Sequence, residues 1–234
     1  MTFKEGFKDG LAIGLGYLSV SFSFGILAVS SGMTWWQAVL ISLVNLTSAG
    51  QVAGVEIMAA AGGMLEMAVA QLVINMRYSL MSISLSQKAD KTLNTPARLI
   101  TAFFITDEIF GVSSGKDKPV GRNYMLGLAI LPTVGWSLGT LLGAVCGNIL
   151  PSIVTESLAI GIYGMFVAIV IPASRKDKNI ATVSFISVIL SVVFYFTPVL
   201  HENISAGFTI IICAVTAALI GIFAMPLKEE ADGQ

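Results

Sequence analysis

Apolar residues fill most of this chain in stretches at about 10–30, 35–61, 65–86, 99–114, 124–146, 156–174, 180–200 and 204–226, with polar and charged residues gathered between them. A helix needs roughly 20 predominantly apolar residues to cross the hydrocarbon core of a bilayer. Runs of about that length, recurring from end to end, predict an all-α fold: a polytopic integral membrane helical bundle forming one transmembrane domain over residues 1–234. The first run follows MTFKEGFKDG, which has the basic start of a signal peptide. Its apolar part exceeds the roughly 7 to 15 residues of such a peptide, so it is expected to stay as a first span.

Two stretches break the pattern. The stretch 35–61 is interrupted at its centre by NLTSAGQ (45–51), and 99–114 is short and carries Asp107 and Glu108 in its middle. Loop charges indicate how to treat them. If every stretch crosses and the N-terminus is inside, the basic loop QKADKTLNTPAR (87–98) falls outside, against the positive-inside tendency. If 35–61 and 99–114 each enter and return on one side, every Lys and Arg except Arg77 is cytoplasmic, as are both termini. The outer loops (31–34, 62–64, 147–155, 201–203) then hold no Lys or Arg. About six full spans plus two broken or re-entrant segments are therefore expected in the cytoplasmic membrane. Irregular backbone at membrane depth is tolerated only where protein or a water-filled cavity satisfies it.

Composition narrows the function classes. Charged residues make up only 12% of the chain and hydrophobic ones 55%, with a net charge of −1, which leaves no basic surface for nucleic acid. Cys146 and Cys213 lie in separate apolar runs and read as packing residues. The single histidine, His201, falls in an outer loop, and no HExxH, phosphate loop or metal-ligand spacing occurs, so neither enzyme, cofactor nor metal site is expected. Glu56 and Glu66 are expected at solvated positions near the outer surface.

Small residues form a second pattern. Gly135, Gly139, Gly143 and Gly147 share one helix face, and Gly6, Gly10 and Gly14 begin a similar row, as suits closely approaching helices. Laying 124–200 on 10–86 pairs Gly25 with Gly139 and Gly50 with Gly164, a weak trace of the repeats, often inverted, from which transporters are built.

The candidate chemistry sits at mid-membrane. Arg77 lies midway between Glu66 and Gln87. A charge there costs at least about 2.5–3.5 kcal/mol on insertion scales and is usually functional. The two broken segments can bring partners to its depth. Asp107 and Glu108 arrive from the cytoplasm, and Asn45, Thr47, Ser48 and Gln51 from outside, joining Asn75 on Arg77's own span. A cation, carboxylates, free helix ends and an apolar wall suit a zwitterion with an apolar side chain. A purely structural pair of Arg77 with Asp107 or Glu108 is the plainer reading.

SAGQVAG (48–54), INMRYSLMS (74–82) and FFITDEIFG (103–111), in that order in a chain of this length, resemble the AzlC-type branched-chain amino acid permeases, the large subunit of a two-component exporter. The resemblance implies export of leucine, isoleucine, valine and similar amino acids, and a small AzlD-type membrane subunit as partner. It carries over Gln51, Asn75, Arg77, Thr106, Asp107 and Glu108; Tyr78 departs from the histidine common in relatives. The expectation is a secondary transporter driven by the proton motive force. In it Arg77, Asn75, Gln51, Asn45, Thr47, Ser48, Asp107 and Glu108 bind substrate, and Asp107 and Glu108 couple protons. The alternative is the substrate-binding membrane subunit of an ATP-driven importer.

Overall fold

A computed structural model describes residues 1–147, 149–151, 153–154 and 161–224. The start of the span expected at 156–174, part of the loop 147–155, Lys228 and the C-terminal end lie outside the described residues. All regular structure among them is helical: α1 (Phe3–Ser30), α2 (Trp35–Val44), α3 (Ala49–Ala59), α4 (Met64–Gln87), α5 (Thr95–Phe103), α6 (Asp107–Ser114), α7 (Arg122–Gly147), α8 (Gly161–Lys176), α9 (Lys178–Phe196), α10 (Pro198–Asn203) and α11 (Ala206–Ala224). Within this set α1, α7, α9 and α11 are long and apolar enough to cross a membrane. The 24 residues of α4 match that length, about 36 Å at 1.5 Å per residue, but Gln71, Asn75 and Arg77 make the helix more polar.

Each odd stretch is a pair of short helices. In 35–61, α2 ends where Asn45 turns extended (φ −147°, ψ 105°), and α3 restarts after Ser48, whose φ of +35° is rare for a side-chain-bearing residue. In 99–114, α5 closes at Phe104, and Thr106 opens α6 by accepting a hydrogen bond from the Ile109 amide. Both pairs fold back toward the side from which they came. Trp36 and Gln37 of α2 and Met58 and Ala59 of α3 border one cleft of about 470 Å³ beside the turn Ser31–Met33. At the other end of the molecule, Lys88 Nζ, just beyond α4, donates to the Ser114 carbonyl at the end of α6 (2.6 Å). The loop preceding α5 also pairs with the loop following α6, through Asp90 N to Val120 O (2.9 Å) and Val120 N to Lys88 O (3.0 Å).

The spine is the α1–α7 pair. Its glycines let the two backbones touch: Gly14 faces Gly135, Leu18 faces Gly139, and Phe22 faces Gly143. A Cβ on Gly143 would overlap the Phe22 carbonyl oxygen, and one on Gly135 the Gly14 carbonyl oxygen. The two helices therefore run in the same direction, so an inverted repeat cannot relate this pair. Their shared lower end is fastened by Asp9, which pairs with Lys116 (2.7 Å) and accepts from the Tyr124 hydroxyl (2.8 Å). Around the spine, α2 lies against α7 and α3 against α4, while α11 packs on α4 and α9. No residue of α9 is buried, as befits a helix facing lipid.

A further expectation also fails. Glu66 is not solvated: it is only 6% exposed, and its carboxylate accepts from Ser205 Oγ and from the Gly207 amide (3.0 Å), closing the N-terminus of α11. A buried carboxylate survives where donors and a helix N-terminus meet it.

The spine yields a test of packing. Gly143→Leu forces the α1–α7 backbones apart, and overpacking of this kind costs about 1–3 kcal/mol or more. Gly16 has nothing within 4 Å of a built Cβ. Size-exclusion chromatography in detergent should show loss of the monodisperse species for Gly143→Leu and its retention for Gly16→Leu.

Candidate functional site

The two breaks meet at the middle of the spine. Leu46 from the α2–α3 break joins Tyr17 of α1 and Trp136 of α7 in one buried cluster, and Phe104 from the α5–α6 break packs against it. Tyr17 and Trp136 meet edge to face with ring centroids 5.2 Å apart. Tyr17 and Trp136 each lie near the middle of a long helix, so the irregular backbone is placed at mid-depth and walled by aromatic rings.

Arg77 crosses from α4 to α6. Its Nη1 is 2.9 Å from Asp107 Oδ2, and the side chains are 39% and 27% exposed, so the pair is neither sealed nor freely solvated. Arg77 Nη2 donates to the Tyr78 hydroxyl (3.2 Å), and the guanidinium lies over the Tyr78 ring, 5.0 Å from its centroid. The Coulombic attraction and the cation–π contact offset part of the cost of holding the charge at this depth.

Glu108 is held differently. The Tyr17 hydroxyl bonds both Thr106 Oγ1 (2.7 Å) and the Glu108 carboxylate. A phenol has one proton, which the charged oxygen attracts more strongly, leaving the Thr106 hydroxyl to donate to the phenol oxygen. Asp107 thus faces a cation, whereas adjacent Glu108 faces a neutral donor. Two neighbouring carboxylates at one helix N-terminus have separate environments, the arrangement from which separate protonation behaviour arises.

The neutral groups form a second set on the other break. Gln71 Nε2 donates to the Gly50 carbonyl (2.7 Å), and Asn75 Nδ2 donates to Gln71 Oε1 (3.0 Å), fastening α4 to the first turn of α3. Gln51, 1% exposed, donates from Nε2 to Ser42 Oγ (3.1 Å), and Ser42 Oγ lies 2.8 Å from Thr140 Oγ1. Thr140 gives its own proton to the Trp136 carbonyl (3.0 Å). Among the described residues Thr47 Oγ1, Gln51 Oε1, Asn75 Oδ1, Arg77 Nε, Trp136 Nε1 and Ser137 Oγ are buried without a hydrogen-bond partner. Native proteins leave few such atoms, and each asks for an explanation.

The expected residues therefore divide. Arg77 and Asp107 pair, with Glu108 beside them at the α5–α6 break; Asn45, Thr47, Ser48 and Gln51 sit at the α2–α3 break, which Asn75 faces from α4. Asn75 and Arg77, two residues apart, leave α4 in directions about 200° apart. The arginine side chain then bends back over Tyr78, three residues along from Asn75 on nearly the same face. Tyr17, Gln71, Ser42 and Thr140 were not singled out by sequence. The signal for Gln71 is its place one turn before Asn75; Tyr17 is a phenol within a span, where a buried hydroxyl needs a partner.

Comparison with known proteins agrees with the arrangement of motifs. The family described as AzlC protein matches residues 12–150, more than half of the chain. The chain is 27% identical over 237 residues to the inner membrane protein YgaZ of Escherichia coli, covering 98% of this chain and 94% of that protein. It is 29% identical over 184 residues to a membrane protein of Archaeoglobus fulgidus (78% of this chain, 80% of that one), and 24% identical over 182 residues to one of Helicobacter pylori (76% and 78%). No solved structure matches. With its helical build, its apolar spans and the matched stretch taking in both broken pairs, the chain is a membrane protein of the AzlC family, a family of transporters.

Proposed function

We propose that this protein is a secondary transporter that exports branched-chain and similar apolar amino acids across the cytoplasmic membrane, driven by the proton motive force. The observation that carries the reading is the Arg77–Asp107 pair beside Glu108, where two broken helices meet at mid-depth. In the resting site Asp107 neutralises Arg77. An incoming carboxylate competes for the guanidinium, whose Nε is still without a partner. Asn45, Thr47, Ser48, Gln51 and Asn75 line the other side. Glu108, with no cation of its own, is the group that takes and releases the coupling proton, and export driven by the proton motive force needs that proton and the substrate to occupy the site in turn. A charge at membrane depth is expensive unless it is used, which supports a functional pair over a merely structural one.

The proposed topology has six full spans, namely α1, α4, α7, α8, α9 and α11, and two re-entrant hairpins, α2–α3 from outside and α5–α6 from the cytoplasm. Both termini are cytoplasmic. Hairpin plus long helix then occurs twice with opposite sense, as α2–α3–α4 and α5–α6–α7, with Thr47 and Thr106 at the corresponding breaks. This is the inverted repeat proposed in place of the α1–α7 pairing. The α4 face bearing Leu72, Met76, Leu80 and Ile83, exposed beside Arg77, is the proposed seat of a small AzlD-type subunit.

Three outcomes are expected. In cells carrying this chain with its small partner, efflux of preloaded labelled leucine should be uncoupler-sensitive, and Arg77→Ala should lower it more than tenfold with the protein still inserted; undiminished efflux would make Arg77 a structural ion pair. In vesicles, Glu108→Gln should abolish leucine movement driven by a pH gradient while sparing leucine–leucine exchange, whereas unaltered gradient-driven flux would remove Glu108 from coupling. In a Cys146→Ala, Cys213→Ala background, Met33→Cys and Ala61→Cys should react with an impermeant maleimide on intact cells, and Lys91→Cys and Lys118→Cys only after permeabilisation. Labelling of all four from outside would overturn the re-entrant topology.

A further inference from the structure

We infer that the neutral oxygens of the α2–α3 break, Thr47 Oγ1, Gln51 Oε1 and Asn75 Oδ1, receive the ammonium group of the transported amino acid. This rests on the transporter reading and assigns the ammonium to uncharged acceptors rather than to Asp107 or Glu108.

Hydrogen-bond directions fix the two amide oxygens as acceptors, and the Thr47 hydroxyl oxygen is free to accept. Thr140 spends its proton on the Trp136 carbonyl, so Ser42 must donate to Thr140 and can only accept from Gln51. Gln51 Nε2 is thereby committed, and its Oε1 is left as a buried acceptor in a residue 1% exposed. The same logic runs through α4. Gln71 Nε2 must face the Gly50 carbonyl, so its Oε1 faces Asn75 and draws in Nδ2, which leaves Asn75 Oδ1 unpaired. Swapping either amide end for end would set oxygen against oxygen.

Thr47 Oγ1 and the Asn75 amide converge because residue 50 has no side chain. A Cβ on Gly50 would overlap Thr47 Oγ1 and lie 2.6 Å from Gln71 Oε1 and 3.2 Å from Asn75 Nδ2. The glycine therefore lets Thr47 and the two amides close on the first turn of α3. An ammonium group brings three N–H donors, one for each unpaired acceptor. The opposite need is met two residues further along α4, where Arg77 Nε is a buried donor without an acceptor and the guanidinium stacks on Tyr78. A buried donor on α4 beside acceptors on α4 and at the α2–α3 break provides for both charged ends of a single α-amino acid. Neutral acceptors also suit the charge balance: Asp107 already offsets Arg77, and a zwitterion adds no net charge to the site.

The test compares leucine with 4-methylpentanoate, which is leucine without its amino group, as competitors of labelled leucine on the purified full-length protein and on uncoupler-sensitive export in cells. Wild type should favour leucine by at least 100-fold. Gln51→Leu and Thr47→Val should each weaken leucine at least tenfold and leave 4-methylpentanoate unchanged, while Thr47→Ser retains near wild-type preference. Equal potency of the two compounds in wild type, or equal loss of both in the variants, would overturn the inference. So would stabilisation by NaCl but not by choline chloride in the absence of leucine, if Gln51→Leu removed it, because the oxygens would then hold an inorganic cation. Export that remains uncoupler-sensitive and Arg77-dependent with an unaltered leucine preference in the variants would sink this inference alone. Absence of leucine binding and export altogether would sink the transporter reading with it.

Discussion

A guanidinium held near the middle of a 24-residue, largely apolar helix dictates the design around it. Arg77 cannot reach either surface along α4, so its counter-charge must be carried inward on other elements. A continuous apolar helix would place a carboxylate at depth only as another isolated charge. A broken helix does better, because its free N–H groups stabilise the carboxylates at its first turn: Asp107 and Glu108 open α6 immediately after the Thr106 cap. The ion pair of 2.9 Å is thus also the reason for a break at residue 104–106.

Such a break exposes backbone that lipid cannot satisfy, and the spine supplies the remedy. Because α1 and α7 touch through glycines, they form one thick wall on which Tyr17 and Trp136 project at the same level. Tyr17 then ties the α5–α6 break through Thr106 and Glu108, and Trp136 with Thr140 supports the α2–α3 break through Ser42 and Gln51. The glycine rows and the polar site are two consequences of one requirement: close backbones at the spine fix the depth at which the breaks are held.

Much of this was legible in the sequence. The period and length of apolar runs gave the helical membrane class, and the polar interruptions at 45–51 and 106–108 marked both breaks to within a few residues. Arg77 was expected to find its partner in Asp107 or Glu108, because charge in an apolar run has few ways to be compensated, and the structure brings it to Asp107. What sequence missed were relations between elements. The parallel register of α1 and α7 depends on which glycine faces which carbonyl, and an internal alignment on two glycines could not decide it. Glu66 looked solvated because its place near a span end said nothing of the start of α11, where the Ser205 hydroxyl and the Gly207 amide, 139 and 141 residues further along, cover it. Tyr17 and Gln71 were silent because a lone polar residue in a long helix becomes informative only once its neighbour across the bundle is known.

The separation of Asp107 from Glu108 bears on how such a site could couple two events. Were both carboxylates paired with Arg77, neither would be left to bind a proton apart from that pair. Here Arg77 holds Asp107, while Tyr17 holds Glu108 from another helix. In the proposed export the proton moves inward as substrate moves outward, so the two occupy the site in turn, and Glu108 is the carboxylate that can carry the proton while Arg77 stays paired with Asp107. The proposed coupling then needs no long-range pathway. It follows from two consecutive acidic residues whose partners sit on different helices, α4 and α1.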